Sequence, residues 1–370
     1  MKVAIYTIAK NEEAHVEKWF NSVLEADYHL ICDTGSSDKT VKTAQALGIR
    51  TERISVQPWR FDDSRNAALA LLPDDVDYCI SLDMDEVLVP GWRDLLQDAF
   101  DAGIQWPKYD YVFGWASVGV PSTIFEGIKI HPRWGVRWKY PIHEIPVACQ
   151  GVFHKWGKTS IQMHHFQDAS KPRSSYFPML EIAVQEDPQS ARLAYYLARE
   201  YYYLKRYEEA TQEFHRYLSF SDYYYPAEQS EALRFLAIMN PESAEHYFSL
   251  SAEKDPTSRE PLLDLSQYYS DRSEWTNSLN SAREALKITN QQIGHTANFA
   301  SWSWRPHDLI ALASYYLGDF STALEHGQLA LGYLPEDPRL LKNLDFYLEK
   351  TSLGSAKPDK NNSKESKLSA

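Results

Sequence analysis

The chain has 370 residues, enough for two to three domains of ordinary size. Apolar residues make up 44% of it and aromatic residues 14%, so disorder is excluded for most of its length. The formal net charge is −13, from 51 acidic and 38 basic residues. Because gripping nucleic-acid phosphates requires clustered lysine and arginine, this balance argues against a protein that binds nucleic acid by its backbone.

The three cysteines, Cys32, Cys79 and Cys149, are too few and too widely spaced for a disulfide framework or a CxxC metal site. We expect them to be reduced thiols. The apolar run near the N-terminus, residues 3–9, is shorter than a signal-peptide core and much shorter than the roughly 20 residues of a membrane helix. The sequence is therefore typical of a soluble, cytoplasmic protein.

Strands and helices alternate at the start of the chain. Four buried strands are predicted, at residues 2–9, 28–33, 50–56 and 78–82. Amphipathic helices are predicted after the first three strands, at about 16–24, 38–47 and 62–72. This alternation predicts a parallel α/β sheet, in which ligands bind beyond the carboxyl ends of the strands. Asn11, Asp33 and the cluster Asp83-Met84-Asp85-Glu86 follow strands at those ends.

Short aromatic runs broken by glycine and proline occupy residues 104–165. They predict irregular β-structure that completes one face of the same domain. Five tryptophans fall in this stretch, and each belongs either to the core or to the walls of a site that stacks on rings or sugars: Trp106, Trp115, Trp134, Trp138 and Trp156.

From about residue 175 the pattern becomes helical and repeats. Ala210, Ala244 and Ser278 follow one another at intervals of 34 residues, and Ala323 comes 45 residues later, after an insertion around 291–301. A small residue on the second helix of a 34-residue unit lets its two helices approach closely, so this region resembles tetratricopeptide repeats. We predict an all-α repeat domain at 171–353, with a surface for a peptide partner, and a disordered tail at 354–370.

Two carboxylates, Asp83 and Asp85, stand where a predicted strand gives way to a loop. Hard oxygen ligands at such a place suit Mg²⁺ or Mn²⁺ beside a diphosphate. An ion there would neutralise charge that builds on a leaving phosphate. An isolated Asp-x-Asp triplet is more often a solvated turn, so the interpretation depends on the neighbouring motifs.

Three motifs precede this triplet in a fixed order: Thr7–Glu13 (TIAKNEE), Cys32–Thr40 (CDTGSSDKT), and Asp62 with Arg65-Asn66. The triplet itself lies in a fourth, Leu82–Glu86 (LDMDE). Together they resemble the nucleotide-sugar half of family-2-type glycosyltransferases with the GT-A fold, over roughly residues 1–170. A repeat array after such a domain is similar to a bacterial and phage branch of these transferases. The junction in that branch resembles His164–Asp168 with Lys171, Arg173 and Tyr176.

The resemblance implies a nucleotide site. Thr7, Ala9 and Asn11 would border the nucleoside, and Asp33 would hydrogen-bond the uracil or ribose. The alternative for Asp33 is a carboxylate that caps its own turn. Arg65 would pair with the diphosphate through its planar guanidinium. The alternative for Arg65 is an exposed helix arginine paired with Asp62.

The resemblance also implies a metal site. Asp83 would face the ribose or sugar and share in metal binding, and Asp85 would be the main metal ligand. Because adjacent histidines on a strand point to opposite faces, only one of His164 and His165 can supply a third ligand, and we favour His165. A packed histidine is the alternative.

The pair His143-Glu144 resembles the acceptor-side motif of this branch. Glu144 is the candidate general base for the acceptor nucleophile, and Asp110 is a weaker candidate. In the alternative, His143 makes a structural hydrogen bond and Glu144 pairs with Arg133 or Arg137.

These features predict a Mn²⁺- or Mg²⁺-dependent glycosyltransferase that moves a sugar from a UDP-sugar to an acceptor hydroxyl or thiol, with the repeats helping to select the acceptor. The acceptor is a peptide, a protein or another glycan, and a flipped nucleic-acid base stays open. Two other classes also stay open: a non-catalytic repeat scaffold that binds peptides, and a sugar-phosphate nucleotidyltransferase. The sequence contains no P-loop, GxGxxG, GxSxG or HExxH motif.

Overall fold

A computed structural model describes residues 1–117, 119–166, 176–223, 225–291 and 294–354 of the protein. The predicted tail, 354–370, lies outside the described residues except for Gly354, and so do Gln167, Asp168, Lys171 and Arg173 of the predicted junction. None of the helices within the described ranges combines the length and the apolar character that crossing a membrane requires.

The chain divides into two compact units, Met1–Leu193 and Ala194–Ala370, whereas the sequence predicts a boundary at residue 170. The first unit extends further because a helix at Tyr176–Glu186 belongs to it. Glu186 at the end of this helix pairs with Arg60, and the neighbouring Asp187 pairs with Lys139. These ion pairs attach the helix to the α/β part of the unit.

The first unit is a mixed α/β structure. Its strands are β1 Val3–Ala9, β2 Tyr28–Asp33, β3 Arg50–Arg53, β4 Tyr78–Ser81, β5 Glu86–Leu88, β6 Trp106–Ser117, β7 Val120–Gly127, β8 Ile130–Pro132, β9 Val136–Lys139, β10 Ile145–Ala148 and β11 Trp156–His165. Its helices are α1 Val16–Ser22, α2 Thr40–Ala46, α3 Phe61–Ala70, α4 Trp92–Asp101 and α5 Tyr176–Glu186. Helix α4 is absent from our sequence-based prediction.

The main sheet has the strand order β3-β2-β1-β4-β8. Strand β1 lies in its middle and pairs in parallel with β2 and β4, which explains why six of its seven residues are buried. Strand β3 ends at Arg53 rather than at residue 56, because its partner β2 ends at Asp33 and offers only one more hydrogen bond, from Ile54 N to the Asp33 carbonyl.

A second sheet has the order β5-β11-β6-β7, and β9 pairs with β10 separately. The sequence predicts irregular β-structure here, but β6 runs for 12 residues and β11 for 10. The short strand β5 follows the Asp83–Glu86 cluster and pairs antiparallel with β11, so that Glu86 is opposite His165. This register brings the end of β11 to the carboxyl end of β4.

The second unit is helical. Its helices are α6 Ala191–Tyr203 (which begins in the first unit), α7 Tyr207–Leu218, α8 Pro226–Met239, α9 Ala244–Lys254, α10 Glu260–Asp271, α11 Trp275–Lys287, α12 Trp304–Tyr316, α13 Phe320–Tyr333 and α14 Pro338–Gly354. The four small residues of the predicted repeat are at most 2% exposed: Ala210, Ala244, Ser278 and Ala323. At one of these close approaches, Ser266 on α10 donates a hydrogen bond of 2.8 Å to the carbonyl of Ser278 on α11.

The insertion between α11 and α12 lies against earlier helices. Its Asn298 backbone N–H donates to Glu260 at 2.8 Å, in the first turn of α10. His295 lies 3.0 Å from the carboxylate of Glu228, in the first turn of α8. We refer to residues 294–303 as the strap, because they tie together the first turns of helices from different repeats.

Candidate functional site

The loops that follow β1 and β2 are hydrogen-bonded to each other. The Asn11 side chain accepts from the Ser37 N–H at 2.8 Å, and the Asn11 N–H donates to the Ser36 hydroxyl at 2.9 Å. Asn11 has a φ of 58°, a left-handed conformation that asparagine tolerates better than most residues. The two loops are therefore held as one rim at the carboxyl edge of the sheet.

Asp33 is buried at the base of this rim. Its carboxylate accepts hydrogen bonds from the N–H groups of Gly35 at 3.2 Å and Ser36 at 3.0 Å, so it caps its own turn. Thr7 is fully buried and Ala9 is 4% exposed, and the Ala9 carbonyl accepts from Thr34. The nucleotide contacts predicted for these residues stay predictions.

Arg65 projects from α3 and is almost enclosed, with 5% of its side chain exposed. Its Nε donates to Glu144 at 2.7 Å, its Nη1 to the Ser81 hydroxyl at 2.8 Å, and its Nη2 lies 2.8 Å from Asp83. The Trp138 ring lies 4.9 Å from the guanidinium. All three nitrogens of Arg65 are thus engaged by protein groups, and Arg65 holds other site residues in place.

This arrangement differs from both pairings that the sequence suggests as alternatives. Asp62 binds Arg60 rather than Arg65. Arg133 donates to the carbonyls of Leu72 and Pro73 rather than to Glu144. Local spacing favours partners within a few positions, whereas the observed partners Arg65 and Glu144 are 79 residues apart.

Asp83 lies between two cations. One oxygen is 2.8 Å from Arg65 and the other is 2.6 Å from the Lys129 ammonium. Although burial opposes ionisation, these cations hold the pKa of Asp83 well below its usual range. Asp83 is therefore ionised, and both of its oxygens already accept from cations.

Lys129 also binds Glu86, at 2.7 Å. Glu86 is 1% exposed and accepts further hydrogen bonds from the Tyr111 hydroxyl at 2.6 Å and from the Asp83 N–H at 2.8 Å. Burial raises the pKa of Glu86, with Asp83 adding to the rise. For Lys129, burial favours the neutral form, but the two carboxylates outweigh it and raise the pKa.

Asp85 faces His165, whose Nε2 lies 3.4 Å from its carboxylate. The other ring nitrogen, Nδ1, lies 3.3 Å from the carbonyl of Phe113. Because a carbonyl only accepts, we assign a proton to Nδ1, and a neutral ring then turns the lone pair of Nε2 towards Asp85. The ring of Phe113 stacks on His165 at 5.0 Å. Burial lowers the pKa of His165, but the Asp85 carboxylate outweighs this effect and raises it.

The lone pair on Nε2 of His165 and the carboxylate of Asp85 repel each other unless a proton or a metal ion lies between them. A separation of 3.4 Å also fits two ligands that share one ion through bonds of about 2.1 Å. Asp85 and His165 therefore fit a divalent cation. Among the described residues, no group of three or more His, Cys, Asp or Glu side chains is arranged to hold a metal.

His164 belongs to a different environment, as the alternation along a strand requires. Its ring packs edge-on against Trp115 at 4.9 Å and lies 3.3 Å from Gln162. Trp115 donates to the carbonyl of His165 at 3.1 Å and stacks on Phe166. The Phe166 N–H in turn donates to the carbonyl of Asp85 at 2.8 Å. Trp115 therefore lies close to Asp85 and His165.

The other tryptophans divide between core and surface. Trp138 underlies Arg65, Trp106 is fully buried, and Trp134 and Trp156 are 58% and 43% exposed. Among the five, Trp115 and Trp138 thus contact the candidate site.

The segment that carries Glu144 has an unusual backbone. Tyr140 and His143 both have positive φ, at 85° and 51°. The Tyr140 hydroxyl binds Asp187 at 2.9 Å, and Glu144 binds Arg65. Since the visible partner of Glu144 is a guanidinium, the geometry favours a positioning role, and the general-base role stays a prediction. Asp110, the weaker base candidate, pairs with Lys158.

Lys129 and Phe113 were not singled out by the sequence. Lys129 precedes β8, and only the antiparallel pairing of β8 with β4 brings it beside Asp83. A lysine just before a short apolar strand is too common to indicate a site, so no local signal could have found it.

Comparison with known proteins gives partial similarities. No protein-family profile matches the chain. An uncharacterised glycosyltransferase of Rickettsia bellii is 32% identical over 101 residues, which are 27% of this chain and 33% of that protein. The chain therefore aligns with about a third of the length of this relative.

Solved structures give further partial similarities. Glucosyl-3-phosphoglycerate synthase of Mycobacterium tuberculosis, solved with Mn²⁺, UDP and glucosyl-3-phosphoglycerate, is 25% identical with a TM-score of 0.26, over 30% of this chain and 44% of that one. A tetratricopeptide repeat protein of Thermus thermophilus is 19% identical with a TM-score of 0.34, over 48% of this chain and 90% of that one. PilF of Pseudomonas aeruginosa is 19% identical with a TM-score of 0.36, over 46% and 72%.

Proposed function

We propose that the first unit is a metal-dependent glycosyltransferase of the GT-A type, which transfers a sugar from a UDP-sugar to an acceptor hydroxyl or thiol. The observation that carries this proposal is the pairing of Asp85 with His165 at 3.4 Å, next to Asp83, beyond the end of β4. Ligands of parallel α/β sheets bind at this edge. The 101-residue similarity to an uncharacterised glycosyltransferase supports the same class.

Asp85 and His165 would hold the ion, Mn²⁺ or Mg²⁺. When bound, the ion would supply positive charge against the charge that builds on the departing diphosphate. The hydrogen bond from His165 to the Phe113 carbonyl orients the ring for this task, since it fixes which nitrogen carries the lone pair.

The remaining site residues bind and orient the donor. The rim formed by Asn11, Ser36 and Ser37 borders the nucleoside in our proposal, with Asp33 fixing its conformation. Asp83 presents an ionised carboxylate for a ribose or sugar hydroxyl. Arg65 holds Asp83, on the donor side, and Glu144, on the predicted acceptor side, at fixed positions relative to each other.

The acceptor is a peptide, a protein or another glycan in this proposal, and the helical repeats contribute to its selection. Trp115 and Phe113 give the site an aromatic border at Asp85 and His165. Such rings suit the apolar face of a sugar or an aromatic side chain.

Hydrolysis of UDP-, GDP- and TDP-sugars with Mn²⁺, together with calorimetric titration of Mn²⁺, tests the proposal. We expect Asp85→Ala to lose Mn²⁺ binding and to lower the hydrolysis of the preferred donor about 100-fold or more. Asp101→Asn is the matched control, because Asp101 lies at the end of α4 and binds only Gln97 among the described contacts. Hydrolysis that survives Asp85→Ala would refute the metal assignment, and pyrophosphate release from UTP would indicate a nucleotidyltransferase instead.

A further inference from the structure

Two cations lie beside Asp83, and they differ in what they can still bind. Arg65 uses all three of its nitrogens on protein acceptors, and only 5% of its side chain is exposed. The Lys129 side chain is 23% exposed. A lysine ammonium has three N–H donors, and two of them point to Asp83 and Glu86. Within the described part of the chain, the third N–H has no hydrogen-bond acceptor.

The position of this ammonium is well determined by its surroundings. The Lys129 carbonyl accepts from the Ser81 N–H at 3.1 Å, which continues the pairing of β8 with β4 up to the site. Glu86, which holds the ammonium from one side, is itself fixed by Tyr111 and by the Asp83 N–H. The ammonium is therefore preorganised, so a ligand would not have to order a flexible lysine.

The balance of charges around Asp83 indicates what the Lys129 ammonium can bind. Asp83, Glu86 and Glu144 carry three negative charges, and Arg65 and Lys129 compensate two of them. Without Lys129, an anionic ligand entering beside Asp83 would meet an excess of two negative charges from these groups. Among the described residues, the cationic side chain left at Asp83 would be Arg65, whose nitrogens are already engaged. Cation–anion pairs at partly enclosed positions are stronger than exposed ones.

We propose that Lys129, rather than Arg65, is the side chain that binds the diphosphate of the donor nucleotide, through its third N–H. This inference rests on the proposed function, since it assigns a ligand to the same site. Arg65 then acts as a positioning residue that holds Asp83 and Glu144.

Calorimetric titration of the full chain with UDP and with uridine, both in the presence of Mn²⁺, tests this assignment. A charged hydrogen bond is worth enough that Lys129→Met should weaken UDP binding about tenfold or more, while uridine, which has no phosphate, binds both proteins equally. Lys108→Met is the matched control: Lys108 pairs with Glu126 in the hairpin of β6 and β7 and should leave UDP affinity unchanged.

If Lys129 only stabilised the fold, a folded variant without it would bind UDP as tightly as the wild type does. Lys129→Met leaves Glu86 buried without its cation, so the double variant Glu86→Gln/Lys129→Met provides a second protein with a neutral core at this point. If either folded variant binds UDP as tightly as the wild type, the assignment of Lys129 is overturned. If the wild type itself binds no nucleotide, the proposed function is overturned together with it, so the two failures are distinguishable.

Discussion

Replacing Arg65 with glutamine removes the one guanidinium that joins Asp83 to Glu144. Glu144, with 12% of its side chain exposed, would lose its cation at 2.7 Å, whereas Asp83 would keep Lys129. Breaking a buried ion pair by removing one partner costs about 3–5 kcal/mol. Because Asp83 is 30% exposed and keeps a cation, we assign most of the effect to Glu144 and expect a loss of about 3 kcal/mol.

Hydrogen exchange read by mass spectrometry measures this loss where it occurs. The opening free energies of peptides in α3 and β4 report on the first unit without requiring that the whole chain unfold in one step. Arg65→Gln should lower them by about 3 kcal/mol. Adding Glu144→Gln should restore about 2 kcal/mol, because the unpaired buried charge is then gone.

The double variant Arg65→Gln/Glu144→Gln distinguishes the loss of the ion pair to Glu144 from the loss of packing against Trp138. If Arg65 mattered only through packing against Trp138, neutralising Glu144 would restore nothing and the two losses would add. A loss below about 1 kcal/mol in Arg65→Gln would also contradict the reasoning, since it would mean that Glu144 finds water or another partner at no cost.

Two further predictions concern groups outside the site. Burial lowers the pKa of His131 to about 4, whereas its pKa in the unfolded chain is near 6.5. The unfolded chain therefore binds the proton more readily, and the free energy of unfolding falls as the pH drops from about 6.5 to about 4. Between pH 7 and pH 4.5, the free energy of urea unfolding should fall by about 2–3 kcal/mol more in the wild type than in His131→Gln. A Cβ on Gly327 would meet the buried Tyr347 ring at 2.7 Å, whereas one on Gly332 in the same helix meets nothing within 4 Å. Gly327→Ala should therefore lower the melting temperature, with a cost of about 1–3 kcal/mol, and Gly332→Ala should not lower it.

Patterns local in sequence predict much of this fold. The apolar runs around Val3–Ala9 and Tyr28–Asp33 coincide with strands because a strand buried on both faces needs a continuous run of apolar residues. The repeat interval of 34 residues located Ala210, Ala244 and Ser278, which are buried where helices approach closely. Alternation along a strand also separates His164 from His165, although the choice between them depends on which one is opposite Glu86.

Contacts between distant segments are not predictable in this way. The partners of Arg65 depend on how the Tyr140–Glu144 segment returns to the sheet. Two residues of that segment, Tyr140 and His143, have positive φ values, which are uncommon for residues other than glycine and are not predicted from these residue types. Lys129 reaches Asp83 because β8 runs antiparallel to β4, a pairing that hydropathy cannot reveal. The chemistry of the candidate site is thus determined by strand order as much as by the Asp-x-Asp motif.

The strap has a consequence for how the second unit comes apart. In repeat proteins each unit contacts mainly its neighbours, so arrays can unravel stepwise from one end. Here the segment before α12 reaches α8 through His295 and Glu228, across 67 residues of sequence. Unravelling that starts at the C-terminal end would therefore pause at α12 until the strap detaches, and the helices from α8 to α12 would then be lost as one block.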